Sequence, residues 1–150
     1  MSISVKNGWT EAVTVRLLEK DSSFDYSSDV AELYRNAGWI SPEDDTGFIA
    51  PMLRNSFCVA GAFYRGKLIG MMRALSDGVS DAYLLDMVVL EPYRGNGIAL
   101  RILECIVSHL KSLGIDWIVC ISVPGVEKLY LKLGEKMDAH LPIRFNKGGF

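Results

Sequence analysis

The chain has 150 residues, of which 49% are hydrophobic and 23% are charged, and its formal net charge at pH 7 is −2. This length and composition predict a single globular domain over residues 1–150, since a chain of this size buries about two thirds of its unfolded surface. Neither sign of charge is concentrated in a long run, which argues against a nucleic acid or an anionic membrane as the main partner.

The N-terminal sequence and the cysteines predict a cytoplasmic protein. The opening residues, MSISVKNGWTEAV, lack a basic region followed by an apolar stretch, and no apolar run is long enough for a membrane span. Cys58, Cys105 and Cys120 lie far apart among apolar neighbours, as reduced core thiols do. His109 and His140 are too far apart for a local ligand motif, so no metal site is expected.

The first half of the chain predicts two helices and three strands. Hydrophobic spacing and turn residues indicate, in order, a strand, a helix, a turn, a short helix and the two strands of a hairpin, at 11–20, 26–38, 41–48, 50–55, 57–64 and 67–77. The hairpin turn falls on Arg65-Gly66, a tight connection that favours antiparallel pairing.

The second half alternates strands and helices. The predicted elements are a strand, an amphipathic helix, an apolar strand, a second helix and one or two late strands, at 81–90, 98–113, 115–121, 123–133 and beyond. Residues 115–121, IDWIVCI, are nearly all apolar, which predicts a central strand covered on both faces. The order of elements indicates an α/β (α+β) fold with a mixed sheet and helices on both faces.

The turn between the strand at 81–90 and the next helix carries the first functional signal. Its sequence is Arg94-Gly95-Asn96-Gly97. The first amides of a helix have no partner within the helix, and with the helix dipole they form an anion site. Glycines allow phosphate oxygens to approach the backbone, and Arg94 adds a positive charge. The turn therefore predicts phosphate binding.

A turn of this kind also allows three other interpretations. A P-loop is excluded because G-x-x-x-x-G-K-[ST] does not occur in the chain. A dinucleotide fingerprint fits Gly95 and Gly97, but Leu100 stands where a small residue is needed, and Asp116 begins a strand where the ribose-binding acid ends one. A plain strand-to-helix turn with no ligand is the third alternative.

The motif and its surroundings resemble the GNAT acyltransferases. Residues 94–99, RGNGIA, match the pyrophosphate loop R/Q-x-x-G-x-G/A of that family, and residues 86–89, DMVV, resemble its fourth strand. Residues 129–134, LYLKLG, resemble its later F-Y-x-K-x-G helix. The resemblance covers roughly residues 57–138 and implies a GNAT fold, with about six to seven strands and a splay between the fourth and fifth.

The resemblance also implies a cofactor and the residues that bind it. The cofactor is acetyl-CoA (coenzyme A), and its diphosphate is expected on the main-chain amides of the loop beside Arg94. Its pantetheine arm is expected on main-chain groups of the fourth strand. The implied cofactor-binding residues are Met87, Val88, Val89, Arg94, Gly95, Asn96, Gly97, Ile98, Ala99 and Leu100.

Two side chains are the candidate catalytic residues. Tyr130 is the predicted general acid, since a phenol with a pKa of about 10 is protonated at pH 7 and can protonate a departing thiolate. Its place on an apolar helical stripe suits core packing equally well. Asp86 interrupts an apolar run, where a carboxylate is costly unless it is paired, so it either deprotonates the amine or ties down a neighbouring loop.

Departures from the family pattern put some roles in doubt. Leu85 stands where some relatives have a glutamate base, and Val123 stands where an asparagine is common, with Ser122 as a substitute. The reserve candidates for the base are Asp77, Asp81 and Tyr83. The acceptor pocket is expected from residues 24–54, with Trp39 and Phe48 as walls and Arg73 or Asp77 reading a charged group.

The predicted function is transfer of an acetyl group from acetyl-CoA to the primary amine of a small molecule, in a cytoplasmic enzyme that forms a homodimer. The first alternative is a non-catalytic acyl-CoA-binding or sensor module of the same fold, which would need neither Tyr130 nor Asp86. The second is a nicotinamide-dependent oxidoreductase.

Overall fold

The computed structural model describes residues 8–20 and 25–146. In this part of the chain five strands form one mixed sheet in the order β1-β2-β3-β4-β5, in which the pairs β1–β2, β2–β3 and β3–β4 are antiparallel and β4–β5 is parallel. The strands are β1 Thr14–Leu17, β2 Cys58–Tyr64, β3 Lys67–Ser76, β4 Asp81–Val89 and β5 Trp117–Cys120. The helices are α1 Ser27–Asn36, α2 Ile49–Asn55, α3 Ile98–Ser112 and α4 Glu127–Tyr130, and two 3-10 turns lie at Thr10–Ala12 and Glu91–Tyr93.

The β2–β3 hairpin forms the centre of the sheet. Arg65 and Gly66, in its turn, both have positive φ, at 50° and 78°, as the tight hairpin turns with matching twist require. In β3 the residues from Leu68 to Met72 are all buried although successive side chains point to opposite faces. The sheet is therefore covered on both sides, as the sequence predicts.

Helix α3 covers the sheet with one apolar stripe. Its buried side chains recur at helical spacing, and they are Ile98, Ile102, Leu103, Ile106 and Leu110. The helix packs on β1, β2, β3 and β4, and α1 packs on β3 and β4. Gly70 allows close approach here, because a Cβ at this position would lie 3.0 Å from Ile102 and 3.1 Å from the Val88 carbonyl oxygen.

The chain divides into two compact units, which meet in sequence between Cys120 and Ile121. The second unit contains α4, which is shorter than the helix predicted at 123–133. In its described part, up to residue 146, there is no strand, so the prediction of late strands is wrong there. Leu141, Ile143 and Phe145 do alternate, but they are highly exposed. An alternating pattern forms a strand only when its backbone pairs with a neighbouring strand. The single domain stays a prediction.

The fold class predicted from the sequence is confirmed, with five strands among the described residues where six or seven were expected. One detail is wrong: residues 117–120 form an edge strand of the described sheet and not a central one. The missing cover is visible at Trp117, which is 49% exposed. None of the described helices combines the length and hydrophobicity that a membrane crossing needs.

Candidate active site

A β-bulge interrupts β4 at the predicted base. Met71 pairs with Val88 and Arg73 pairs with Leu85, so Asp86 and Met87 together lie opposite Met72. Asp86 has φ of 60°, a left-handed conformation that is rare within a strand. A bulge of this kind disrupts the hydrogen-bond ladder and re-aims the backbone.

The pairing between β4 and β5 ends before this bulge. Their parallel pairing runs from Asp81 and Trp117 to Leu84 and Cys120, and the described residues show no pairing of the two strands beyond that point. The last part of β4 therefore pairs only with β3. This is the splay that the sequence resemblance predicts. Among the described residues it leaves Met87, Val88 and Val89 without a neighbouring strand on the β5 side, where Arg94 Nε bonds to the Val89 carbonyl oxygen.

The turn after β4 presents a row of main-chain donors. Gly97 is the N-cap of α3, with φ of 78° and no side-chain cap. Within the described residues, none of the amides from Gly95 to Leu100 donates to a main-chain carbonyl or to a side chain. Six successive amides with no acceptor among the described residues, at the positive end of a helix dipole, have the properties that suit an anion.

The two glycines of the turn keep this row accessible. Gly95 and Gly97 have φ of 76° and 78°, and a Cβ added to either would meet nothing within 4 Å. Side chains are therefore disfavoured here by backbone conformation and not by crowding. The space over Gly95 and Gly97 is open, which fits the predicted role of binding a diphosphate.

The polar side chains of the turn are used to shape it. Arg94 donates from Nε to the Val89 carbonyl oxygen at 2.7 Å and from Nη2 to Asn36 Oδ1 at 3.0 Å. Asn96 donates from Nδ2 to the carbonyl oxygens of Tyr93 and Arg94, at 3.2 and 2.9 Å. Both side chains brace the turn from within, so binding by Asn96 would use its main chain.

Asp86 is held from two sides. Its Oδ2 atom accepts a hydrogen bond from the Tyr34 hydroxyl at 2.6 Å and pairs with Arg73 Nε at 2.5 Å. Arg73 Nη1 also donates to the hydroxyl of Ser56, which is fully buried, at 3.4 Å. The expectation that Asp86 is paired is met, and its role as a base stays a prediction. Arg73 is engaged in this pair and was not predicted as its partner.

Tyr34 connects this carboxylate to the expected acceptor wall. Its ring packs edge-on against Trp39 at 5.1 Å and stacks with Phe48 at 6.5 Å between centroids. Burial first, and the hydrogen bond to Asp86 second, raise the pKa of Tyr34 well above that of an ordinary phenol. Trp39 and Phe48 are each almost half exposed. Tyr34 thus contacts both Asp86 and two partly exposed aromatic rings.

The reserve candidates for the base either bond within their own turn or lie away from the bulge. The Asp77 carboxylate accepts hydrogen bonds from the amides of Val79, Ser80 and Asp81 and from the Ser80 hydroxyl, which lower its pKa. Asp77 therefore closes its own turn. Asp81 and Tyr83 line an open recess of about 420 Å³ with Trp117, at the end of β4 away from the bulge.

Tyr130 and Ser122 belong to the second unit, which is described by itself. Tyr130 is the last residue of α4, partly buried, and its carbonyl oxygen accepts the amides of Leu133 and Gly134. Ser122 donates to the carbonyl oxygen of Val123 at 3.0 Å. The role of Tyr130 as an acid stays a prediction.

Two features were missed by the sequence reasoning. Asn36 and Tyr34 come from α1 and hold the turn after β4 and the bulge, respectively, and no local pattern marks them. The three cysteines are free thiols, of which Cys58 is buried in the core as predicted, while Cys105 and Cys120 are only partly buried. Among the described residues no group of three or more His, Cys, Asp or Glu is arranged to hold a metal ion.

The comparisons with known proteins agree on one family. Residues 18–134 match the Acetyltransferase (GNAT) family. The chain is 30% identical over 110 residues to the uncharacterized N-acetyltransferase ycf52 of Gracilaria tenuistipitata var. liui, covering 71% of this chain and 59% of that protein. It is 33% identical over 73 residues to the chloroplastic serotonin N-acetyltransferase 2 of Oryza sativa subsp. japonica, covering 49% of this chain and 36% of that one. The chain thus spans about three fifths of the first relative and about a third of the second.

The fold has a match among solved structures. A GNAT-family acetyltransferase from Streptococcus pneumoniae TIGR4 superposes with a TM-score of 0.72 at 20% identity, over 90% of this chain and 98% of that one. The identity is low, so this likeness bears on the fold alone.

Proposed function

The chain belongs to the GNAT family of acetyltransferases, and we propose that it moves an acetyl group from acetyl-CoA to the primary amine of a small molecule. The observation that carries this proposal is the row of acceptor-free amides from Gly95 to Leu100, next to the open edge of β4. An anionic group and an extended chain would be held side by side at this place. Acetyl-CoA combines both, and when bound it supplies a thioester that is activated toward amines.

The residues of the turn fit a diphosphate. Amides at a helix N-terminus and an added cation suit an anion, and the open space over both glycines suits a bulky one. Arg94 contributes its charge while its guanidinium stays on Val89 and Asn36. Coenzyme-binding residues are therefore proposed as Arg94 and the amides from Gly95 to Leu100.

Main-chain groups of β4 are proposed to orient the rest of the ligand. Met87, Val88 and Val89 follow the bulge on the edge that β5 leaves open. An amide there would polarise a carbonyl oxygen as an oxyanion-type donor, with no particular side chain needed. All three side chains remain free for packing, and Val88 and Val89 are buried.

Asp86 is proposed to receive the acceptor amine. Among the described residues, both contacts of its carboxylate fall on Oδ2, so Oδ1 is proposed for the ammonium, directly or through water. Tyr130 is proposed to hold a proton on its hydroxyl for the departing sulfur.

The acceptor is proposed to be a small molecule with an apolar or aromatic part. Trp39 and Phe48 have half-exposed rings that pack against Tyr34, and the Tyr34 hydroxyl in turn donates to the carboxylate of Asp86. The name of the rice relative, serotonin N-acetyltransferase, is in keeping with an aromatic primary amine. A cytoplasmic location, a homodimeric state and the absence of nucleic-acid or membrane partners are further parts of the proposal.

A coupled assay tests the proposal. Thiol release from acetyl-CoA is measured with a panel of aryl-alkyl, linear alkyl and peptide amines. Turnover with a small amine is expected, and Tyr130→Phe should lower kcat by about 100-fold or more with an unchanged KM for acetyl-CoA, the range typical of a lost general acid. Tyr26→Phe, on α1's N-terminal side, is the matched control.

Other outcomes favour the rivals. Coenzyme A that raises the melting temperature without turnover of any amine favours the binding module. A melting temperature raised by NADH or NADPH and unchanged by coenzyme A favours the oxidoreductase. Turnover that survives Tyr130→Phe at the full rate removes Tyr130 as the acid.

A further inference from the structure

The backbone at Asp86 adopts a conformation that needs support. Among the described non-glycine residues only Arg65 and Asp86 have positive φ. Arg65 lies in a hairpin turn, where this conformation is expected, whereas Asp86 lies within β4. Aspartate tolerates the left-handed region better than most residues, but it still pays for crowding of its Cβ. Something must favour this state inside a strand.

The contacts of the Asp86 side chain supply that support. Tyr34 reaches it from α1 and Arg73 from β3, and both bind the same oxygen, Oδ2. The Asp86 and Arg73 side chains are only 23% and 14% exposed, so the pair is largely shielded from water. Ser56, which follows α2, is fully buried and accepts from Arg73. Two elements, α1 and β3, thus converge on one carboxylate, and Ser56 holds the arginine.

We propose that Tyr34 and Arg73 form a clamp on Asp86 that holds it in the left-handed conformation and so fixes the bulge that aims Met87 and Val88 at acetyl-CoA. The inference rests on the proposed function, since it assigns positioning residues for the same coenzyme. The clamp acts through Oδ2, which leaves Oδ1 for the role proposed above. Tyr34 and Arg73 are positioning residues that need not touch the ligand.

The pairing register of β3 and β4 explains how the clamp would affect the ligand site. Met72 faces two residues of β4, so the bulge exists only while Asp86 and Met87 are accommodated there. If Asp86 returned to an extended conformation, the side chains of β4 on one side of this point would turn to the other face. The amides of Met87 and Val88 would turn with them. Coenzyme affinity should therefore depend on the backbone state of residue 86.

Two substitutions at one position separate backbone from side chain. Asp86→Ala and Asp86→Gly both remove the carboxylate and both leave Arg73 without it, so they differ in backbone freedom alone. Glycine adopts positive φ without a steric cost, and alanine does not. By isothermal titration with coenzyme A, Asp86→Ala should bind about tenfold more weakly than Asp86→Gly, the size expected from the left-handed penalty.

A third variant tests the clamp from the other side. Tyr34→Phe removes one hydroxyl and keeps the ring that packs on Trp39 and Phe48. It should raise the dissociation constant of coenzyme A by several-fold, and hydrogen exchange at Met87 and Val88 should become faster in the free protein. The matched control is the pair Arg65→Ala and Arg65→Gly at the hairpin turn. As at position 86, alanine carries the steric cost of the left-handed conformation and glycine does not, but here the two variants should bind coenzyme A equally.

Either of two results would overturn the clamp: equal affinity of Asp86→Ala and Asp86→Gly, or a Tyr34→Phe protein that melts earlier while its coenzyme affinity and amide exchange stay unchanged. Failure of the proposed function looks different. In that case the unaltered protein does not bind coenzyme A, and the exchange rates at Met87 and Val88 alone decide whether Tyr34 holds the bulge.

Discussion

Asn36 Oδ1 accepts a hydrogen bond from Arg94 Nη2 at 3.0 Å, although the two residues are 58 positions apart in the chain. The same oxygen accepts the main-chain amide of Glu91 at 3.1 Å. The last residue of α1 therefore ties down both the start and the arginine of the turn before α3. Since Tyr34 holds the bulge from the same helical turn, α1 braces both halves of the proposed coenzyme site.

Replacing Asn36 should loosen the turn more than the fold. We expect Asn36→Ala to weaken coenzyme A binding by about three- to tenfold while it lowers the free energy of unfolding by only about 1 kcal/mol, as for the loss of partly exposed hydrogen bonds. Isothermal titration and urea unfolding measure the two effects. Asn55→Ala is the control, because Asn55 Nδ2 donates within α2, to the Pro51 carbonyl oxygen. Equal affinities of the two variants would contradict the bracing role.

Substitution of the N-cap glycine should abolish coenzyme binding and leave the fold intact. Gly97→Ala puts a methyl group into the open space at the N-cap, where the diphosphate is proposed to bind, and strains a backbone with φ of 78°, at a stability cost of about 1–2 kcal/mol. Gly114→Ala imposes the same kind of strain just after α3, where φ is 84° and the space around the glycine is also open. Both proteins should melt at similar temperatures. Only Gly97→Ala should lose the rise in melting temperature that coenzyme A produces.

The Cys58 thiol should resist modification until the protein unfolds. Burial raises its pKa to about 11, and its side chain belongs to the core. The folded state therefore keeps the thiol proton to higher pH than the unfolded chain does, so stability falls as pH rises through the window from about 9 to 11. The expected loss is on the order of 2 kcal/mol.

Two measurements check this expectation. A chromogenic disulfide reagent at pH 8 should react slowly with Cys58 in the native protein and rapidly in urea. Between pH 8 and pH 11 the unaltered protein should lose more stability than Cys58→Ala, which carries no thiol at this position. Parallel pH profiles for the two proteins would refute the assignment.

Asp77 should affect stability and not catalysis. Its carboxylate accepts hydrogen bonds from its own turn, which lower its pKa. A carboxyl group whose pKa is lowered by folding stabilises the folded state at pH values above the pKa that it has in the unfolded chain. This contribution is lost as the pH falls toward the lower pKa of the folded state. Asp77→Asn should therefore lower the melting temperature at pH 7 by more than at pH 3, with unchanged kcat. A large fall in kcat would instead make Asp77 the base in place of Asp86.

Local signals in the sequence predict the elements near the site well. The β2–β3 hairpin follows from a two-residue turn between apolar runs, and α3 follows from one apolar stripe that ends before Gly114. The turn at 94–97 is visible because glycine is needed where φ is positive. These features depend on neighbours within a few residues, which is the range that periodicity and turn chemistry cover.

Long-range partners could not be predicted in the same way. The bond between Tyr34 and Asp86 joins residues 52 apart, and it depends on how α1 docks on β3 and β4. Tyr34 by itself looks like a core residue of an amphipathic helix. The bulge at Asp86 is likewise set by pairing with β3, so the sequence marks an aspartate in an apolar run without marking its conformation.

The proposed coenzyme site depends on the amides from Gly95 to Leu100, which are proposed to bind the diphosphate of coenzyme A. Titration of ¹⁵N-labelled protein with coenzyme A, followed by amide chemical shifts residue by residue, tests this contact. The largest downfield proton shifts should fall on Gly95 to Leu100, and pantetheine, which lacks the diphosphate, should leave the chemical shifts of these amides unchanged. Saturable coenzyme binding that shifts other amides and leaves this row unchanged would contradict the proposed contact.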